Sequence, residues 1–265
     1  MLFRSAKQIQ NSILSEKKVL DHAFPENFIF YQPSAIVSGD FYYFQQIHDH
    51  FVIAVADCTG HGVPGGFMTM LGITFVDEIV RRNDVNKPGK ALEILREHIK
   101  STLRQEKESS IKDGMDIAMC AINTCTNEME FAGANLPVIL VKNKEKHANE
   151  IRKYGNAPKI EQEDALLEIK PDRMPIGFYY NENSFTNYKV QLEKGDLIYM
   201  FTDGYMDQFG GSAGRKFLKK NFKKIISEIS VKPLKDQGKI IKSRFFEWKG
   251  YRNQIDDVLV LGIRI

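Results

Sequence analysis

Val55-Ala56-Asp57-Cys58-Thr59-Gly60-His61-Gly62 sets an aspartate at the end of the apolar run Phe51 to Ala56, where a buried strand gives way to a glycine-rich turn. Gly39-Asp40, Phe201-Thr202-Asp203-Gly204 and Ile255-Asp256-Asp257-Val258 repeat that setting. Each alone fits a turn as well as a site, because Asp and Gly are turn residues. Three of the four adjoin β-type runs, Phe51 to Ala56, Leu197 to Phe201 and Val258 to Ile265, so their carboxylates are expected at one edge of a packed sheet core. Carboxylate oxygen suits magnesium, manganese or calcium, and such ions retain waters that can serve as nucleophiles. The chemistry expected is hydrolysis of a phosphoester.

Outward from these motifs, periodicity predicts a helix over Phe3 to Leu20 and strands over Phe28 to Gln32, Val37 to Ile47 and Phe51 to Asp57. Core-packing helices follow over Phe67 to Arg81 and Ala91 to Gln105, with Pro64 and Pro88 near their starts. Further strands are expected over Met115 to Asn123, Glu128 to Ala132, Val138 to Lys142, Phe185 to Leu192 and Leu197 to Thr202. Asn181 to Asn183 and Lys142 to Glu150 read as loops. Two helices, Phe217 to Ile229 and Leu234 to Trp248, precede the last strand, Val258 to Ile265. Strand clusters alternating with helix pairs suit an α/β (α+β) sandwich, two mainly antiparallel sheets flanked by helices.

The order and spacing of Val37-Ser38-Gly39-Asp40-Phe41-Tyr42, Ala56 to Gly66, Phe131-Ala132-Gly133-Ala134-Asn135-Leu136-Pro137, Met174-Pro175-Ile176-Gly177, Thr202-Asp203-Gly204 and Gln254-Ile255-Asp256-Asp257-Val258 resemble the metal-dependent (PPM-type) serine/threonine protein phosphatases, in particular their bacterial SpoIIE/RsbU-like branch. The likeness runs from about Phe28 to Ile265 and supplies the sheet pair of the expected fold. It implies that Asp57 bridges two divalent cations, manganese or magnesium. Asp40 and the backbone carbonyl of Cys58 would complete one ion's protein ligands, and Asp203 and Asp256 would hold the other. Asp257 is the less favoured ligand of its pair, with a turn carboxylate as its plain alternative. Two such ions about 3.5–4 Å apart activate water for in-line attack and screen phosphoryl charge, so no protein nucleophile is needed. Asp57 and Asp203 carry the catalytic assignment.

The chain departs from the wider family in places. The eukaryotic branch grips phosphate with an Arg near its first acidic motif, and no Arg lies between Phe28 and Val80. Where that branch has a histidine two residues after the bridging Asp, this chain has Thr59; His61 stands two further on and reads as a loop imidazole bonded to backbone in preference to a general acid. Leu259 occupies a place where many members have Thr. A third metal, where present, is held by an acidic residue before a middle strand, and Lys112-Asp113-Gly114-Met115-Asp116 offers two candidates, Asp113 and Asp116.

At 265 residues and 43% hydrophobic content the chain can bury one substantial core. Lys plus Arg exceed Asp plus Glu by three, 37 against 34, too little for a nucleic-acid surface. The basic run Arg215 to Lys220, followed by Phe222, Ile225 and Ile226, reads as the solvated face of an amphipathic helix. Cys58, Cys120 and Cys125 are too few for a disulfide framework, and neither a signal peptide nor an uninterrupted apolar run of 18 residues is present, so a cytoplasmic location with no membrane association is expected. The glycine-dense stretch Gly204 to Gly214 is a gating flap or a plain connector.

Residues 1–24 form an expected linker or switch helix ahead of a phosphatase domain over 25–265. Leu2, Ala6, Ile9, Ile13 and Leu20 make a seam that fits a coiled coil, hence a homodimer, or a helix packed on its own domain. The resemblance further implies an upstream sensor and a phosphorylated protein substrate of the anti-sigma-factor-antagonist kind. Alternative functions are a catalytically silent partner-binding module of the same fold and a hydrolase of small phosphorylated molecules.

Overall fold

The computed structural model describes residues 2–82, 87–109, 112–142, 151–154, 160–163 and 166–265. The chain opens with helices α1 (Leu2–Ile13) and α2 (Lys17–Ala23), then strands β1 (Asn27–Gln32), β2 (Asp40–Ile47) and β3 (His50–Cys58). Helices α3 (Gly62–Arg82) and α4 (Pro88–Thr102) lead into β4 (Met115–Asn123), β5 (Glu128–Ala134), β6 (Val138–Val141), β7 (Ile151–Tyr154), β8 (Ile160–Glu163), β9 (Leu166–Ile169), β10 (Asn187–Gln191) and β11 (Leu197–Phe201). A short α5 (Gly204–Asp207), the hairpin β12 (Phe209–Gly210) and β13 (Arg215–Lys216), helices α6 (Lys219–Ile229) and α7 (Leu234–Lys249), and β14 (Val258–Arg264) complete it.

The strands form two six-stranded sheets, ordered β1-β14-β11-β6-β9-β8 and β2-β3-β4-β5-β10-β7, with antiparallel ladders throughout. Strand β3 explains why its sequence reads as an unbroken apolar run. Successive side chains point to opposite faces. Phe51, Ile53 and Val55 enter the core between the sheets, and Val52, Ala54 and Ala56 enter the layer under α3 and α4. A strand covered on both sides has no solvent face to mark with polar residues. The other sheet is covered likewise by α5, α6 and α7, through Phe201, Tyr205, Phe222, Ile226, Ile241 and Phe245. Burying each such side chain contributes about 1.5–3 kcal/mol.

Helix α3 is long and apolar enough by composition to cross a bilayer. Nine of its residues, Gly65 to Val80, are nonetheless buried within the protein, so its apolar stripe already has a partner.

Several expected boundaries shift for physical reasons. The helix expected over Phe3 to Leu20 breaks at Leu14–Glu16, where the Ser15 hydroxyl accepts from the Phe44 backbone N–H at 2.8 Å and donates to its carbonyl at 3.2 Å. The seam divides with it: Ile9 is half exposed, Ile13 packs at the edge of one core and Leu20 is sealed in another. Strand β2 starts at Asp40, not Val37, because Ser38 and Gly39 spend their backbone groups on Gln10, Thr69 and Asp257. Arg215 and Lys216 belong to a hairpin rather than to the amphipathic helix, which begins at Lys219 and buries Phe222, Ile225 and Ile226 as expected. The expected loop over Lys142 to Glu150 lies, beyond Lys142, outside the described residues. The glycine-dense stretch is the α5 turn and the β12–β13 hairpin, anchored by Trp248, whose indole N–H donates to the Gln208 carbonyl at 3.0 Å. Cys58, Cys120 and Cys125 are free thiols.

Candidate functional site

Asp40 pairs with Asp57 across β2 and β3, and Asp57 pairs with Asp116 across β3 and β4. Directly paired residues share a face. By strand alternation that face is the inter-sheet one, occupied further along by Phe44, Val55 and Ala118. Three carboxylates thus line up at the open end of the sandwich. The opposite sheet brings Asp203 from the turn after β11 and Asp256 from the turn before β14.

Glycines make that meeting sterically feasible. A Cβ on Gly204 would lie 1.9 Å from the Asp257 carbonyl and 3.3 Å from the Asp256 Cβ, so only glycine lets the Asp203 and Asp256 turns nest. A Cβ on Gly39 would lie 2.6 Å from the Gly60 carbonyl oxygen and 3.2 Å from that of Cys58. The Cys58 carbonyl is therefore cradled beside Asp40.

Asp57, Cys58, Thr59, Gly60, His61, Lys112, Gly114, Met115, Asp116, Pro175, Ile176, Gly177 and Asp256 line a cavity of about 300 Å3. Asp40 lies behind it, 1% exposed; its Oδ2 accepts from the Thr202 hydroxyl at 2.7 Å, while its Oδ1 is buried with no partner. Leaving a carboxylate oxygen so placed costs free energy unless a cation or donor meets it.

The acids strain against one another. Burial first, then Asp57, holds the Asp40 carboxyl well above its ordinary range, only partly offset by the Thr202 hydrogen bond. Burial, followed by the charges of Asp203, Asp256 and Asp116, pushes Asp57 up to about 8. Asp116 rises to about 6 through burial, against the lowering effect of the Asn135 amide, which donates to it at 2.8 Å. Asp203 and Asp256 are raised as well, burial leading in both. Asp57 and Asp203 lie within hydrogen-bonding reach of each other. Among the described residues no three acidic, His or Cys side chains close to coordination spacing. Like charges crowded this closely are relieved by a proton or by a cation placed between them. An all-oxygen donor set with an orphaned buried oxygen fits a hard divalent cation.

Asp257 differs from its neighbour. Its Oδ1 accepts from the Ser34 backbone N–H at 2.6 Å and hydroxyl at 3.0 Å, and its Oδ2 from the Gly39 N–H at 2.7 Å. Fully engaged, it clasps the loop before Asp40, a role that sequence reasoning described only as a turn carboxylate. Of the two candidates near β4, Asp116 faces the cavity; Asp113 does not line it. Thr59 is occupied by Gly114, its hydroxyl accepting from that N–H at 3.0 Å. His61 is exposed at the rim. Burial holds the Cys58 thiol well above its ordinary range, which disfavours a thiolate nucleophile.

Sequence reasoning missed two supports. Gln10 of α1, 4% exposed, accepts from the Ser38 N–H at 2.9 Å and donates to the Ser38 carbonyl at 2.6 Å, and Thr69 of α3 donates to the Ser38 and Gly39 carbonyls at 2.9 and 2.8 Å. The only hint was a polar residue beside an apolar helical seam.

The chain is similar to known proteins in sequence and fold. The chain is 25% identical over 206 residues to the phosphoserine phosphatase RsbP of Bacillus subtilis, a match covering 76% of this chain and 44% of RsbP, so it spans under half of that curated relative. The solved SiaA PP2C domain of Pseudomonas aeruginosa is 27% identical with a TM-score of 0.84, covering 99% of this chain and 95% of that one. The PP2C phosphatase domain of Bacillus subtilis SpoIIE, solved with a fragment of its regulatory domain, superposes with a TM-score of 0.65 at 16% identity, over 91% and 63% of the two chains, a likeness of fold. The family model for stage II sporulation protein E matches residues 48–265, and the chain accordingly belongs to the SpoIIE family, with the PP2C-type two-sheet fold.

Proposed function

We propose that this chain is a metal-dependent protein phosphatase that hydrolyses phosphoserine or phosphothreonine on a signalling protein. The observation that carries the reading is the convergence of Asp40, Asp57 and Asp116 from one sheet with Asp203 and Asp256 from the other, around a buried carboxylate oxygen without a partner. Asp57, central and most crowded, is assigned as the bridging ligand; Asp40 and the Cys58 carbonyl lie on one side, Asp203 and Asp256 on the other. Two divalent cations, manganese or magnesium, when bound, supply activated water and neutralise phosphoryl charge. The chain's own part is to hold the five donors at one opening, keep Asp57 and Asp203 deprotonated toward the cations, and shape the approach. Asp116, beside Asp57 and steadied by Asn135, is the better placed of the two candidates for a third cation.

A partner of the anti-sigma-factor-antagonist kind is the proposed substrate, in keeping with the phosphoserine phosphatase activity named for RsbP. Residues 1–24 are proposed as a switch ahead of the 25–265 domain, joining an upstream sensor to the site through Gln10 and pairing two copies. Ile9, Val63, Phe67 and Met70, exposed around an apolar groove of about 340 Å3, support the pairing. A cytoplasmic location belongs to the same reading.

The test is dephosphorylation of matched phosphoserine and phosphotyrosine proteins beside an aryl phosphate. Activity should vanish with chelator, return with manganese, and favour phosphoserine. Indifference to chelation, rescue by zinc alone, or preference for phosphotyrosine overturns the proposal, and sedimentation as a monomer at every concentration removes the pairing.

A further inference from the structure

The acidic cavity contains two side chains able to carry positive charge, Lys112 and His61. Lys112, though exposed, has aromatic partners. Its Nζ lies 5.2 Å from the Phe178 ring centroid and 4.9 Å from that of Tyr180, and it donates to the Tyr180 hydroxyl at 3.2 Å. The two rings meet edge to face at 5.3 Å, forming a shelf. Among the described residues no carboxylate pairs with this ammonium, although Asp57, Asp116 and Asp256 line the same cavity.

The shelf is built into the fold. Gln105, 5% exposed, donates through Nε2 to the Asp113 carbonyl and accepts through Oε1 from the Phe178 N–H at 2.9 Å, so one buried amide locks the lysine's loop to the aromatic loop. Met115 and Ile176 exchange backbone hydrogen bonds of 3.0 and 2.8 Å beneath it. Lys112 and Tyr180 are both exposed, and the two ring contacts and the Tyr180 hydroxyl bias the lysine's rotamers toward the cavity mouth before a ligand arrives. One of the three ammonium N–H groups is used by Tyr180, leaving two for an incoming anion.

We infer that Lys112 binds the phosphoryl oxygens of the substrate at the mouth of the carboxylate cavity, performing from this loop the grip for which the stretch Phe28 to Val80 offers no arginine. The inference rests on the phosphatase reading above. The ammonium is a compact point charge suited to a non-bridging phosphate oxygen, and its aromatic setting keeps it from collapsing onto the neighbouring carboxylates. His61, the other basic residue of the lining, has no comparable aromatic contact among the described residues.

The test compares wild type with Lys112→Met and Lys112→Arg. Inorganic phosphate is titrated calorimetrically into each protein loaded with magnesium, and KM and kcat for an aryl phosphate are measured with manganese. Loss of one charge-assisted contact should weaken phosphate binding in Lys112→Met about tenfold and raise KM by a similar factor, with kcat changing less. Lys112→Arg should recover much of the affinity. Unchanged phosphate affinity and KM in Lys112→Met, in a variant whose thermal unfolding matches wild type, overturns the inference, as does absence of phosphate binding by the wild-type protein. If the wild type binds phosphate but hydrolyses no phosphoester with any divalent cation, the activity reading fails, and the calorimetric comparison still decides the role of Lys112.

Discussion

The two sheets bring acids together in opposite ways, Asp57, Asp116 and Asp256 lining the cavity and Asp40 and Asp203 outside its lining. Asp40, Asp57 and Asp116 are rungs of continuous ladders, so the backbone bonds on both sides of Asp57 fix its position regardless of what fills the cavity. Asp203 and Asp256 stand on turns outside their strands, held by close glycine packing and, for Asp256, by one Asp257 N–H at 2.8 Å. One side is a rail of paired strands and the other a jaw of two nested turns.

The sharpest way to break this comparison is at the rail. Asp57→Asn should lower turnover by on the order of 10³ or more, the equivalent of several kcal/mol of lost transition-state stabilisation. The chelated variant should unfold at or above the wild-type temperature, because a crowded carboxylate has been neutralised. Near-normal manganese-dependent turnover would remove Asp57 from the centre.

Next in size is the contrast between adjacent acids. Asp257→Ala strands the Ser34 and Gly39 donors and should cost about 3 kcal/mol in urea unfolding, whereas Asp256→Ala should cost under ~1 kcal/mol while weakening manganese binding. A larger stability loss in Asp256→Ala would reverse the roles of clasp and jaw.

The crowding of the rail also makes stability depend on pH. In metal-free protein Asp57 titrates near 8 and Asp116 near 6, both above their ordinary carboxylate value, so between pH 4 and 8 the folded state binds more protons than the unfolded. The stability these groups lend is full below pH 4 and is lost as pH rises through 6 and 8. Thermal unfolding with chelator should therefore fall from pH 5 to pH 8, and manganese should reverse the trend; a rise with pH in the chelated protein would contradict the crowding.

The smallest expected effect is that of Gln10→Ala, about 1 kcal/mol of stability, with a fall in kcat and little change in KM, since it loosens the loop behind Asp40 rather than the cavity. Equal changes in kcat and KM would place Gln10 among the binding groups.

Legibility in the sequence followed the range of the interactions. Strand β3, helix α7 and the four aspartate turns were readable because hydrophobic period and turn residues act locally. The break at Ser15 was not, since its cause is Phe44 on another strand. The first turns of α3 were hidden by Gly65 and Gly66, poor helix formers that are required because a Cβ on Gly65 would lie 2.2 Å from the Gly60 carbonyl oxygen and one on Gly66 would lie 2.9 Å from a Val37 methyl. In the site, strand-end acids announced themselves, whereas the clasp of Asp257 and the shelf under Lys112 depend on residues distant in the chain.

The clasp also orders events in time. Asp257 reaches back across 223 residues to Ser34 and 218 to Gly39, and β1 pairs with β14, so the loop behind Asp40 is fastened only after the last strand has been synthesised. Contacts of such sequence separation form late and slowly. A nascent chain on the ribosome, even with Asp40 and Asp57 already made, is therefore expected to be inert until Asp257 has emerged, and a premature stop anywhere before Asp257 yields no partially active fragment.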